Sequence, residues 1–196
     1  KNKYFGRKKG KSFVRLEQYS KFLEEPNKRL FNKIKKPRIL EIGIGDGEKI
    51  SEDAKSNSKV NFIGCDIFAD GVLRAIRNSV DHKLKNLQVF HLNIQELLPL
   101  MPDNYFEEIR IYFPDPWPKK RHHRRRFVTS EYLIDLQRVM ITGALLRLAT
   151  DIPDYVRQSL QEVCKHHFSW TANDAQDWRE CWSDWIPTRY ERKALR

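Results

Sequence analysis

Residues 37–48 read PRILEIGIGDGE. Pro37–Ile42 has the length and apolar content of a short buried strand. Gly43, Gly45 and Gly47 follow directly, and a helix is expected from about Glu48. Strand, glycine-rich turn and helix form the nucleotide-binding opening of an α/β sheet. Two details narrow the ligand. The dinucleotide pattern GxGxxG wants Gly or Ala at the position held here by Glu48. Glu41, at the strand end, would oppose a pyrophosphate and favour a cation.

Further strands follow at intervals. Lys59–Asp66 (KVNFIGCD) ends in Asp66, roughly 20 residues past the glycines, where an acidic residue binds ribose hydroxyls. Asp66 also precedes an apolar-periodic segment (Val72, Leu73, Ile76), so it could instead cap a helix. Leu87–Leu92 is a third strand, followed by Asn93, and Gln95–Leu100 is a short helical turn. Tyr105–Phe113 is a fourth strand and Gly143–Ala149 a fifth, ending in Thr150-Asp151. Thr129–Met140 and Ile152–Lys165 have helical spacing, and Asp151 could cap the second of these. Open α/β sheets bind ligands outside the carboxyl ends of their strands. Glu41, Asp66, Asn93 and Asp115 all fall at such ends and predict one crevice.

The fourth strand runs into FPDPWPKKRHHRRR, residues 113–126. Three prolines exclude helix and stiffen the loop that carries Asp115 and Trp117. Lys119–Arg126 then holds six Lys/Arg and two His in eight residues. A rigid acidic-aromatic corner beside a cationic run suggests a base-handling pocket next to a phosphate-binding surface.

Composition agrees with a polyanionic partner. The 196 residues contain 37 Lys+Arg against 26 Asp+Glu, a formal charge of +11. One domain is expected over 16–196, preceded by a basic arm at 1–15 with seven Lys/Arg and no acid. That arm reads equally as an RNA contact or a solubilising tail. No apolar run reaches the length of a membrane span. Three scattered cysteines without CxxC argue for a reducing, cytoplasmic setting and against a disulfide framework or zinc site. The adjacent pairs His122-His123 and His166-His167 are not a ligand set, and no metal is expected. Leu16–Asn32 has helical spacing. Trp178, Trp182 and Trp185, at i, i+4 and i+7, predict a core-facing helical stripe over 173–185.

FPDPWPKKRHHRRR closely resembles the signature of the tRNA (guanine-N7-)-methyltransferases, and LEIGIGDGE resembles the first motif of the Rossmann-like methyltransferases. The resemblance covers nearly the whole chain from Arg38 onward. It implies an α/β Rossmann-like methyltransferase fold: a mostly parallel sheet with helices on both faces and an antiparallel strand near the C-terminus. It implies S-adenosylmethionine as cofactor, whose sulfonium and ammonium suit Glu41. The implied activity is methylation of guanine N7 in tRNA, at the variable-loop guanine of tRNA position 46. Cofactor binding falls to Glu41, Gly43, Gly45, Asp66, Asn93 and Asp115, with Asp115 also the catalytic candidate. Substrate contacts fall to Lys119, Asp151, Thr188 and Glu191. The last two stand in PTRYERKALR, where Arg189 and Tyr190 replace the Lys-Phe of a family Thr-Lys-Phe-Glu element. Arg121, His122, His123, Arg124, Arg125 and Arg126 are expected to hold the tRNA backbone. Monomer and homodimer stay open, and a partner subunit is expected only for a eukaryotic-type protein. Two other functions fit the residues less well: a non-catalytic RNA-binding subunit, and a nicotinamide-dependent oxidoreductase, which the missing third glycine opposes.

Overall fold

The computed structural model describes Phe31 and residues 34–194. The basic arm, and the helices expected over Leu16–Asn32 apart from Phe31, lie outside the described residues.

Five strands form one sheet: β1 (Arg38–Ile42), β2 (Asn61–Cys65), β3 (Leu87–Phe90), β4 (Phe106–Tyr112) and β5 (Met140–Ala149). Their order is β3-β2-β1-β4-β5, and every pairing is parallel. Parallel neighbours need crossovers, and helices supply them. Helix α1 (Glu48–Ser56) joins β1 to β2, and α2 (Ala69–Asp81) joins β2 to β3. The short α3 (Ile94–Leu97), with a 3₁₀ turn at Leu98–Leu100, leads to β4. Helix α4 (Ser130–Val139) precedes β5, and α5 (Pro153–Val163) and α6 (Arg189–Ala194) follow it.

The side-chain alternation of each strand feeds two cores. Leu40 and Ile42 of β1, and Ile63 and Cys65 of β2, face α3, α4 and α5. Phe62 of β2 turns the other way, towards Ile50 and Ala54 of α1 and Val72, Ala75 and Ile76 of α2. Glycine lets the second layer close. A Cβ on Gly47 would lie 2.4 Å from Cβ of Ala75, and one on Gly71 only 1.5 Å from the Gly45 carbonyl oxygen. The register of β4 against β5 shifts between Phe106 and Glu108, and Gly143, at φ 80°, lies in the stretch of β5 that takes up the shift.

Two expectations are corrected. The described residues contain no antiparallel strand near the C-terminus, since all five strands run parallel. Nor is 173–185 a helix. The Asp174 and Asp177 carboxylates accept from nearby backbone N–H groups of Asn173, Gln176 and Asp177, local bonds that compete with both helix and sheet. The tryptophans divide accordingly. Trp182 and Trp185 pack on Tyr112, with ring centroids 6.0 and 4.7 Å away. Trp178 is exposed and stacks on Trp170.

An ionic chain that sequence reading missed runs from buried Lys49, Asp53, Arg110 and Glu108 out to the exposed Asp184. Lys49 Nζ donates to Asp53 (2.8 Å), Arg110 donates to Asp53 (2.7 Å) and to Glu108 (2.6 Å), and Arg147 reaches Glu108 and Asp184 (3.2 and 2.8 Å). Buried charges persist only when paired in this way. The i, i+4 spacing of Lys49 and Asp53 was a visible signal, but nothing local placed Arg110 opposite them.

Candidate active site

Strand order reverses direction between β1 and β4, the point where open α/β sheets form their ligand crevice. A cleft of about 890 Å³ opens there. Glu41, Gly43, Gly45, Asp66, Asn93, Asp115, Asp151 and Thr188 all line it. Lys119 and Glu191 do not, and neither do residues 121–126.

Glu41 forms the floor. It is 4% exposed, and its Oε2 has no hydrogen-bond partner. Burial pushes its carboxyl up to about 7, while the charge of Lys49 acts against the rise. Lys49 itself is held by Asp53 and lies over the rings of Tyr112 and Trp185, at 5.5 and 5.1 Å. A buried acid in the cleft wall with one carboxylate oxygen unpartnered is arranged for a cationic or hydrogen-bonding ligand.

The glycine turn forms one wall. Gly43 and Gly45 have φ of +78° and +59°, and a Cβ on either would meet nothing within 4 Å. The turn therefore offers bare backbone to the cleft. Asp66 ties it to β2. Its Oδ2 accepts from Gly45 N (2.7 Å) and its Oδ1 from Phe68 N (2.8 Å). Burial raises the Asp66 carboxyl, the backbone N–H groups of Phe68, Gly45 and Ile67 lower it, and the nearby charge of Asp115 raises it again. Phe68, not Asp66, stands at the N-cap of α2. Asn93 does cap α3, its Oδ1 accepting from Gln95 N at 3.1 Å. Gly71, which carried no sequence signal, presses against the back of the turn.

Opposite lies the proline loop. Phe113 and Trp117 bracket Asp115 with φ of 46° and 42°, a left-handed conformation that bulky residues rarely adopt. Arg125 lies over the Trp117 ring at 5.0 Å, and His122 meets its edge at 5.9 Å. Lys120–Arg125 forms a 3₁₀ turn. Lys119, Lys120, Arg121 and Arg124 are exposed on it. Partial shielding from water, then the charges of Arg125 and Arg121, push the His122 imidazole below its ordinary range.

Arg126 departs from expectation. It is 1% exposed and cannot meet a polyanion. Its guanidinium donates to the Pro116 carbonyl (2.8 Å), Gln158 Oε1 (2.8 Å), Asp154 Oδ2 (2.8 Å) and the Asp154 carbonyl (3.4 Å). The apolar Phe127-Val128 that follows draws the chain inward, where both backbone N–H groups donate to the Tyr155 hydroxyl.

The third wall is α6. Thr188 and Glu191 form a capping box, with Thr188 N donating to Glu191 Oε2 (2.6 Å) and Glu191 N to Thr188 Oγ1 (3.3 Å). The T-x-x-E spacing carried that signal. Thr188 still faces the cleft, whereas Glu191 is held by Thr188 and by the Trp185 indole (3.1 Å). Tyr190 donates to Asp151 Oδ2 at 2.9 Å, and Arg189 pairs with Asp46 at 3.3 Å. The side chain of Asp151 is thus turned to the cleft mouth, and Ile152 is the N-cap of α5.

Among the described residues no helix is long and apolar enough to cross a membrane, and no three His, Cys, Asp or Glu side chains are grouped to hold a metal ion.

A family model described as "Putative methyltransferase" matches residues 35–196. A tRNA (guanine-N(7)-)-methyltransferase of Roseobacter denitrificans is 47% identical over 161 residues, which are 82% of this chain and 69% of that protein. One of a Ruegeria species is 46% identical over 157 residues, 80% of this chain and 62% of that protein. The chain thus spans about two thirds of the length of these relatives. A precorrin-6y C5,15-methyltransferase from Geobacter metallireducens shares the fold, with a TM-score of 0.54 at 12% identity over 72% of this chain and 71% of that one. The strand order, the cleft at the switch point and the 47% identity lead to one assignment: the chain belongs to the tRNA (guanine-N7-)-methyltransferase family.

Proposed function

We propose that the protein methylates N7 of guanine in tRNA, at the variable-loop guanine of position 46, with S-adenosylmethionine as donor. The observation that carries this reading is the way one cleft gathers the site residues. It sets a buried, unpartnered Glu41 oxygen and a bare glycine turn opposite a stiff loop bearing Asp115, with exposed cations just beyond.

The residues fit the donor. Glu41 offers a carboxylate to its ammonium group. The Gly43–Gly45 turn lets the ligand approach the backbone closely. Asp66 takes backbone N–H groups of Gly45, Phe68 and Ile67, and its two oxygens still have acceptor capacity left for a ribose hydroxyl. Asn93 likewise keeps one acceptor site and both N–H donors for the adenine edge. When bound, S-adenosylmethionine supplies a methyl group made electrophilic by the sulfonium.

The substrate asks little proton chemistry of the protein. Guanine N7 carries an in-plane lone pair and no proton. No side chain need act as a general base. The residues must align the purine and stabilise the positive charge it acquires. Asp115 accepts from the N1–H and N2–H edge, which orients the base with N7 towards the methyl group. The carboxylates of Asp115 and Asp151 lie near the charge that develops. Lys119, Arg121 and Arg124 meet tRNA phosphates outside the cleft, with Arg125 held on Trp117 between the two regions. The 1–15 arm is a second candidate contact for the tRNA.

The test is incubation of unmodified tRNA with labelled S-adenosylmethionine, followed by nucleoside analysis. N7-methylguanosine is the expected product. A tRNA with 7-deazaguanine at the target keeps its Watson–Crick edge and should bind without accepting a methyl group. Methyl transfer to that tRNA overturns the N7 assignment, and cofactor binding with no transfer to any tRNA favours a non-catalytic RNA-binding role.

A further inference from the structure

We infer that Arg126 is a positioning residue that sets the Asp115 loop, and not part of the RNA-contacting surface. As a role in methyl transfer, this rests on the function proposed above.

The last arginine of the basic run differs from its neighbours in kind. Lys119, Lys120, Arg121 and Arg124 are exposed, whereas Arg126 is almost wholly enclosed. A guanidinium can be buried only when its donors are matched. Here they are matched from two directions. Nε donates to the Pro116 carbonyl, in the middle of the proline loop. The two terminal nitrogens donate to Asp154 and Gln158 on α5. The face of the guanidinium lies 5.0 Å from the Tyr155 ring. Arg126 therefore fastens the loop to a helix packed in the core.

The point of attachment matters. The Pro116 carbonyl belongs to the peptide unit that enters Trp117, and its orientation is one side of the Trp117 φ angle. That angle is 42°, outside the ordinary range for a tryptophan. Asp115 lies on the other side of the same proline. Releasing the carbonyl lets Trp117 relax and carries Asp115 with it. A planar fork with fixed spacing can hold all these acceptors at once, and a lysine ammonium cannot.

Asp154 separates this role from RNA binding. It accepts from Arg126 at 2.8 Å, with His123 Nε2 3.6 Å away. Asp154 is half-exposed, and its bond to Arg126 holds its carboxyl below the usual range against a partial loss of water. Asp154→Asn removes a negative charge. If Arg126 served the RNA, this variant would bind tRNA as well or better and turn over normally. If Arg126 positions the loop, both Arg126→Lys and Asp154→Asn lose turnover.

The experiment measures kcat, tRNA affinity across a salt series and the Trp117 indole N–H resonance, assigned by its loss in Trp117→Phe. Arg126→Lys should lower kcat by about 10²-fold and Asp154→Asn by roughly tenfold, the scale of a misplaced catalytic group. Both should leave the salt slope of tRNA binding unchanged and shift the Trp117 resonance. A kcat near wild type with only a lower melting temperature reduces Arg126 to fold support and overturns the inference. So does a salt slope flattened in Arg126→Lys. If the wild-type protein methylates no tRNA, the functional reading fails separately. The Trp117 resonance then still decides whether Arg126 sets the loop: a shift in both variants supports it, and no shift overturns it.

Discussion

Replacing Glu41 by Gln should stabilise the protein at neutral pH while weakening its hold on the cofactor. The carboxyl moves from its ordinary 4.5 to about 7 because burial strips it of water, with Lys49 only partly compensating. At roughly 1.4 kcal/mol per pH unit, ionising it in the fold costs about 3 kcal/mol. The sign follows from which state releases its proton first. Below pH 4.5 the group is neutral in both states and has no effect. Between 4.5 and about 7 the unfolded chain ionises and the folded one does not, so relative stability falls as pH rises. Above 7 the full penalty is present. Glutamine has nearly the same shape and never ionises. Urea unfolding should therefore show Glu41→Gln ahead of wild type by under about 1 kcal/mol at pH 5 and by about 3 kcal/mol at pH 8. Calorimetry with S-adenosylmethionine should show the opposite ranking, weaker by about 1.5–3 kcal/mol for the missing charged hydrogen bond. A stability gap that is the same at pH 5 and pH 8, or a glutamine variant less stable at pH 8, would refute the argument that the ligand site keeps an unfavourable buried carboxylate.

Other consequences are as direct. Asp66→Ala removes an acceptor from the Gly45 and Phe68 N–H groups and should weaken cofactor binding by about 1–3 kcal/mol with tRNA affinity nearly intact, as read by calorimetry. Gly71→Ala places a Cβ 1.5 Å from the Gly45 oxygen, so the turn must move; unfolding should show a loss of about 1–3 kcal/mol, with weaker cofactor binding alongside. Changing Lys119, Arg121 and Arg124 together to Ala should flatten the salt dependence of tRNA binding by roughly 0.7–0.9 log units for each phosphate no longer neutralised. An unchanged slope returns those exposed side chains to a solvated surface. Trp185→Ala opens the aromatic cover over Lys49 and Tyr112; because Trp185 is only half-buried it should cost about 1–3 kcal/mol, measured by denaturant unfolding.

What the amino-acid sequence determined by itself is whatever short-range chemistry decides. The first four strands were legible because a buried parallel strand is a short apolar run bounded by turn residues, whereas β5, of which only Met140 is buried, begins three residues before the expected Gly143. The strand-end residues Glu41, Asp66, Asn93 and Asp115 could be assembled into one crevice because strand ends converge in any open α/β sheet, whatever the details of packing. Tertiary structure alone decided between side chains that are locally alike. Arg124 and Arg126 carry the same charge in the same basic run, yet one is exposed and the other is enclosed by α5, a helix some 28 residues further on. Trp182 and Trp185 cover Tyr112 without the helix their spacing predicted, because local Asp bonds to the backbone outweigh a weak periodicity. Asp53 meets Arg110 across 57 positions of sequence, a pairing that desolvation enforces and no local pattern encodes. Gly71 is required by an oxygen on another loop. For Arg126, Asp53 and Gly71 the deciding factor is close packing and burial, which depend on what the rest of the chain brings alongside.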